Sequence, residues 1–208
     1  MTTKKEISFS KIVPICFFLS SYTPLFLILS FRELKKYNDY LNFGGFNKES
    51  FYYFIKYFLF PSILILLSVI GLIGTYITIK NLIKDSKNGK NVMIKTCKNN
   101  SSDFIAYFSS YLFPLFFQNF QDWIDILAVS LFILFIFLVY IKSTIMIINP
   151  ILSLFNYRIY EICFITEDKS EKTGSVLTQA ILKENELAKI YQFGNQIYFG
   201  DKNESRSI

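Results

Sequence analysis

The sequence predicts an all-α four-helix transmembrane domain followed by a small cytosolic antiparallel β module at the C-terminus. Three observations carry that reading. Long apolar runs cover roughly Ile12–Phe31, Phe54–Ile79, Phe104–Phe120 and Ile124–Ile148, and a helix needs roughly 20 such residues to cross a hydrocarbon core. The segments between the runs alternate between lysine-rich and lysine-poor. After Pro150 the chain switches to short β-branched and aromatic stretches broken by turn residues. The expected division is therefore a membrane domain over residues 1–150 and a cytosolic β-rich tail over residues 151–208. A soluble protein with buried helices fits poorly, because Ile63–Ile79 has no charged residue where a soluble helix carries an amphipathic stripe.

The first run follows Lys4, Lys5 and Lys11, as a secretory signal would. It contains Pro14 and Pro24, continues to Phe31 and is followed by no small-residue cleavage site, so it reads as a retained helix. In the loop that follows, Gly44–Gly45 marks a turn and Asn47-Lys-Glu-Ser50 leads into the second helix. Tyr40, Phe43, Phe46, Phe51, Tyr52 and Tyr53 form an outer aromatic rim. Such residues favour the membrane–water interface; a surface that meets a partner arriving from outside is the sharper reading. Lys56 can snorkel outward. In the second helix Pro61 is placed to kink the backbone, and Gly71 and Gly74 permit close helix approach.

The third segment is unusual. Helical spacing sets Asp103, Tyr107, Ser110 or Tyr111, and Pro114 along one face. A run over 104–120 rises only about 25 Å, short for a full span. A hydroxyl-bearing face should turn to other helices, another subunit or water rather than lipid. Its ordinary role is interhelical hydrogen bonding at about 0.6 kcal/mol per bond; a sensing element, a pore lining or a re-entrant segment is the alternative. The fourth helix, Ile124 to about Ile148, is anchored outside by Trp123, carries Lys142 near its inner end, and breaks at Asn149-Pro150.

Charge sets the expected orientation. Lys80, Lys84, Lys87, Lys90, Lys95 and Lys98 crowd the second loop, against Asp85 and Asp103, whereas Gln121–Asp125 carries no positive residue. Cytosolic segments retain Lys and Arg, which puts both termini and the second loop inside, and the first loop and third turn outside. The first loop, with Arg32, Lys35, Lys36 and Lys48, is the weakest point of that assignment. The basic second loop would lie against anionic lipid, each lysine gaining about 1 kcal/mol. It has no interleaved aromatic residues, so direct nucleic-acid contact is not expected.

In the tail, Tyr157–Thr166 and Ser175–Leu182 read as strands around a charged turn at Glu167–Gly174. Leu187–Phe193 and Gln196–Phe199 flank Gly194-Asn195, a two-residue hairpin signal. The last residues, Asp201–Ile208, read as frayed. A β module of this size has a marginal core and calls for support from its oligomer, the membrane domain or a partner.

Enzymatic chemistry is not visible. There is no histidine, hence no usual general base or zinc ligand. Cys16, Cys97 and Cys163 are widely spaced and odd in number, so no disulfide framework or metal site follows. No phosphate-cradling loop, nucleophile elbow or zinc-protease motif occurs. Ser109 or Ser110 could pair with Lys142 only if their depths matched, and the helix directions place them apart. No catalytic residue and no cofactor is expected.

Two stretches resemble the membrane subunit of the Kiwa anti-phage defence system, the KwaA family. One is Asp103-Phe-Ile-Ala-Tyr107-Phe-Ser-Ser-Tyr111-Leu-Phe-Pro114; the other is Asn149-Pro-Ile-Leu-Ser-Leu-Phe-Asn-Tyr157-Arg-Ile-Tyr160-Glu161, leading into the tail. The resemblance implies a non-enzymatic subunit of the bacterial inner membrane. It implies a homo-oligomer, a tetramer, that registers phage attachment or injection and holds a cytosolic KwaB-like effector acting on phage DNA. The outer rim and the polar stripe would then sense, and Asn149, Pro150, Tyr157, Arg158, Tyr160 and Glu161 would dock the effector. A channel or membrane-depolarising effector of abortive infection is the alternative expectation; an orphan transporter is disfavoured by the lack of charge in mid-helix.

Overall fold

A computed structural model describes residues 12–42, 45–100, 123–142, 149–166 and 168–200. Helix α1 (Ile12–Ser21) runs into α2 (Thr23–Lys36) with a bend of 54°. Pro24 has no N–H to offer the carbonyl of Ser20, which interrupts the helical ladder there. A 3₁₀ turn at Asn38–Asn42 leads towards α3 (Lys48–Tyr53), whose first turn is capped by Asn47: its Oδ1 accepts from the Ser50 N–H at 2.7 Å. A π-helical turn, Phe54–Phe58, joins α3 to α4 (Leu59–Ser86) immediately before Pro61. The irregularity expected from that proline is thus absorbed one turn earlier.

Strand β1 (Lys90–Asn99) follows α4 directly. Helix α5 is Trp123–Lys142, and a short α6 (Pro150–Leu154) leads into β2 (Arg158–Ile165), β3 (Glu171–Thr178), β4 (Leu187–Gly194) and β5 (Ile197–Gly200). The five strands close into a barrel in the order β1-β2-β3-β5-β4. All neighbours are antiparallel except β3 and β5, which run parallel.

This overturns the expected fold class of a four-helix transmembrane domain with a small antiparallel C-terminal module. Among the described residues, two helices are long and apolar enough to cross a membrane, Lys48–Ser86 and Trp123–Ile141; a third counts if bent α1–α2 is one span. The β part is a closed barrel that takes its first strand from the lysine-rich second loop. The physical reason lies in β1. Val92 and Ile94 point into the barrel, but the register slips between Ile94 and Thr96, so the next inward residue is Cys97 rather than Thr96. A bulge at Lys95 breaks the alternation that would have announced a strand, and the outward lysines then read as a solvated loop.

The tail strands fall near their expected places, with two shifts. The third begins at Glu171, inside the segment read as a charged turn. The hairpin turn is Asn195–Gln196, one residue later than Gly194-Asn195, with Gln196 at φ 56° and Gly194 paired to Ile197.

Two apolar cores result. The barrel interior holds Val92, Ile94, Ile162, Phe164, Val176 and Tyr198. The other core joins α1, α2, α4 and α5 to the barrel through Leu152, Tyr157, Ile159, Leu177, Phe193 and Phe199. Phe18 packs edge-on against Phe137 and Tyr140 of α5 at 4.9 and 5.3 Å between ring centres. Gly71 and Gly74 let α1 approach α4: a Cβ on Gly71 would lie 2.6 Å from Leu19 Cβ, and one on Gly74 would strike Cys16 Sγ.

Candidate functional site

Asn149 stands where the chain returns from α5 towards the barrel, and it is 1% exposed. Its Oδ1 caps α6, accepting from the N–H groups of Ile151 (2.9 Å) and Leu152 (3.4 Å). Its Nδ2 donates to the Phe17 carbonyl (3.2 Å) and to Ser20 Oγ (2.6 Å). Thr75 Oγ1 of α4 meets the same Ser20 hydroxyl at 2.8 Å and the Cys16 carbonyl at 3.1 Å. One buried network therefore ties α1, α4 and the entry to β2. Satisfied buried polar groups of this kind fix geometry, and loss of one partner costs about 1–3 kcal/mol.

The other residues expected to dock a partner divide by burial. Tyr157 (7% exposed) and Tyr160 (4%) belong to the two cores, with Tyr157 packed 6.2 Å from Phe199 between ring centres. Pro150 and Arg158 are half-buried, and Glu161 is exposed, accepting from Asn100 Nδ2 at 3.3 Å. Along β2 the side chains alternate, which puts Glu161 on the outer face and half-buried Arg158 on the face of Tyr160 and Ile162, at the end of the strand, while Asn149, Tyr157 and Tyr160 are structural.

The aromatic rim is partly a cluster. Tyr40 stacks on Tyr53 (5.5 Å) and Tyr57 (4.7 Å), and Tyr37 lies 4.6 Å from Tyr57. Lys36 sits over the Tyr37 ring at 5.0 Å, and Lys56 over Tyr52 and Tyr57 at 5.7 and 5.1 Å. The neighbouring Tyr57 hydroxyl raises the Tyr40 phenol above its ordinary value. Tyr52 is exposed beside Tyr53, and Phe46 is wholly exposed and outside the stack. Phe43 and the polar stripe of Asp103, Tyr107, Ser110, Tyr111 and Pro114 lie outside the described residues.

Sequence reasoning missed Ser20 and Thr75, which carry no local signal, and Tyr37 and Tyr57. For Tyr57 a signal existed, since it follows Tyr53 by four residues on a helix, one turn along the same face. Among the described residues no group of His, Cys, Asp and Glu could hold a metal ion. On the barrel, Lys95 is paired with Glu171, whose hydrogen bond raises the lysine above its ordinary value. Cys97 is half-buried, and burial, with Glu184 and Glu186 nearby, pushes its thiol up.

The family model described as anti-phage protein KwaA matches residues 13–199 of the 208. No curated protein and no solved structure matches the chain. The matched residues take in every helix and strand described above except the first residue of α1 and the last of β5, so the chain belongs to the KwaA family and its role lies in anti-phage defence.

Proposed function

We propose that this protein is a sensor and scaffold subunit of the defence system, held in the bacterial inner membrane as a homo-oligomer, a tetramer. It registers phage attachment or membrane perturbation and recruits a cytosolic KwaB-like DNA-binding effector, without catalysing a reaction or touching nucleic acid itself. The observation that carries this reading is the buried Asn149–Ser20–Thr75 network. A displacement of α1 against α4 must break or drag the hydrogen bonds that hold the barrel's second entry, so a disturbance among the helices reaches the barrel surface. Lys80, Lys84, Lys87 and Lys90, at the end of α4 and the start of β1, favour a cytosolic barrel.

Truncation after Pro150 would leave β1 without its partners, so point variants make the better test. Arg158→Glu, at the end of β2, and Glu161→Arg, on its outer face, change residues that belong to neither core. Each should reduce co-purification of the effector with the full-length chain at least ten-fold and abolish plaque reduction, while membrane insertion is unchanged. Effector capture at the wild-type level by the double variant would overturn the docking assignment. Asn149→Ala should keep capture but lose protection, because the platform remains and its coupling does not.

A further inference from the structure

The short helix α6 ends in a turn that is fixed on one side and bare on the other. The Tyr157 N–H donates to the Leu152 carbonyl at 3.0 Å, and the Asn156 N–H to the Ser153 carbonyl at 2.9 Å. Asn156 itself is left-handed, at φ 63°. This is the bond pair of a Schellman cap, whose two flanking apolar residues pack together. Here they are Leu152 and Tyr157, both in the core that joins the helices to the barrel. Gln179 Nε2, just past β3, donates to the Phe155 carbonyl at 3.0 Å and pins the turn from the barrel side. With Leu152 and Tyr157 turned in, Leu154 and Phe155 are turned out, 78% and 64% exposed. The cap therefore presents two adjacent large apolar side chains on a fixed turn.

Their depth says to what. Asn149, at the start of α6, bonds the Phe17 carbonyl and Ser20 Oγ, and Thr75 of α4 meets the same hydroxyl. Thr75 stands before Lys80, the first charged residue after the apolar run of α4, by about 8 Å at 1.5 Å per residue. Asn149 thus lies inside the apolar boundary by about that depth. From Asn149 to Phe155 the chain is mostly helical and advances at most about 10 Å. Whichever way α6 is directed, Leu154 and Phe155 come no more than about 2 Å beyond that boundary. A cytosolic partner would have to displace lipid headgroups to reach them. We propose that Leu154 and Phe155 form a wedge that enters the barrel-side leaflet where acyl chains meet headgroups, and seats the barrel against the lipid. Interfacial helices bury Leu and Phe at that boundary in the same way. The wedge rests on the reading of α4 and α5 as membrane spans, and not on sensing or effector docking.

Tryptophan fluorescence of the full-length chain in vesicles of phosphatidylcholine and phosphatidylglycerol tests it, because bromine on an acyl chain quenches an indole only at near contact. The chain has one tryptophan, Trp123, so Trp123→Phe gives a dark background. In it, Leu154→Trp and Phe155→Trp should each lose at least half their emission when the acyl chains carry bromine near the headgroup, and less when they carry it at mid-chain. Phe135→Trp, exposed on α5, should be quenched as a span residue. Lys172→Trp, exposed at the far end of β3, should not be quenched. Quenching at Phe135 but not at Leu154 or Phe155 would overturn the wedge and leave the spans standing. Quenching at none of the three would overturn the spans and the wedge together. Equal quenching at Lys172 would mean that contact with bromine is unselective, and would overturn the wedge. So would a blue-shifted Phe155→Trp emission that bromine leaves untouched, which would place the turn against a second copy of the chain.

Discussion

At the scale of single residues, chemistry and position separate. Asn149 is visible in the sequence only as the residue before a proline, a helix break. Its structural task depends on Phe17 and Ser20, 132 and 129 residues away along the chain, and no local pattern encodes such a pairing. Cys97 illustrates the converse: residue type and surroundings together set a measurable property. Its N–H donates to Glu184 Oε1 at 3.3 Å, its Sγ lies 3.6 Å from the Leu182 carbonyl, and its thiol is raised by burial first and by Glu184 and Glu186 next. A raised thiol holds less reactive thiolate at any pH below its folded value. The rate of Cys97 alkylation by iodoacetamide, followed by peptide mass spectrometry, should therefore reach half its plateau at a higher pH in the folded chain than in the same chain unfolded in urea. Unfolding in urea at pH 8 should accelerate it, and Glu186→Gln should move the folded profile to lower pH. A folded midpoint at or below the unfolded one would contradict this environment.

At the scale of elements, the two long helices α4 and α5 were legible and the barrel was not. Apolar length and a missing amphipathic stripe are properties of one segment, so α4 and α5 could be read directly. The bend between α1 and α2 follows from Pro24, and the close approach of α1 to α4 from the two glycines. Barrel closure depends instead on pairing between segments far apart in sequence: Asn99 lies opposite Tyr160, and Lys90 opposite Ile190. The β1 bulge hid the one local clue. The α1–α4 contact also carries a test that discriminates side chain from backbone. Gly74→Ala brings a methyl against the Cys16 side chain, whereas Gly71→Ala brings one 2.6 Å from the backbone nitrogen of Ser20. Both should destabilise the detergent-solubilised chain by about 1–3 kcal/mol through overpacking, read as a lower melting temperature. Adding Cys16→Ala should recover most of the Gly74→Ala loss. Adding Leu19→Ala should recover little of the Gly71→Ala loss, because the obstructing backbone stays. Equal rescue in both pairs would mean that the helices separate freely and are not seated on these glycines.

At the scale of the whole molecule, the barrel constrains the path of the chain through the bilayer more tightly than charge does. The continuous helical stretch Lys48–Ser86 is about 60 Å long at 1.5 Å per residue, against a hydrocarbon core of about 30 Å. It therefore projects from the membrane, with the tyrosine cluster near its first turns and the barrel at its last. Exposed apolar side chains such as Leu66, Ile73, Leu131, Phe135 and Leu138 fit a lipid-facing surface along α4 and α5. Strands β1 and β2 share one barrel and are hydrogen-bonded to each other, so any crossings between Asn99 and Arg158 come in even number. The lysine count of the loops points to the same parity but rests on a first loop that it leaves ambiguous. The shared barrel yields a labelling result that does not depend on which side is cytosolic. In a chain whose native cysteines are replaced by alanine, single cysteines at Lys87→Cys and Lys183→Cys should react with a membrane-impermeant maleimide from the same face. A cysteine at Phe46→Cys, before the long helix, should react from the other. All three positions are exposed, so accessibility is not limiting. Labelling of Lys87→Cys and Lys183→Cys from opposite faces would separate β1 from β4 by a bilayer. The barrel could not then close, and the β2 surface to which effector docking is assigned could not form.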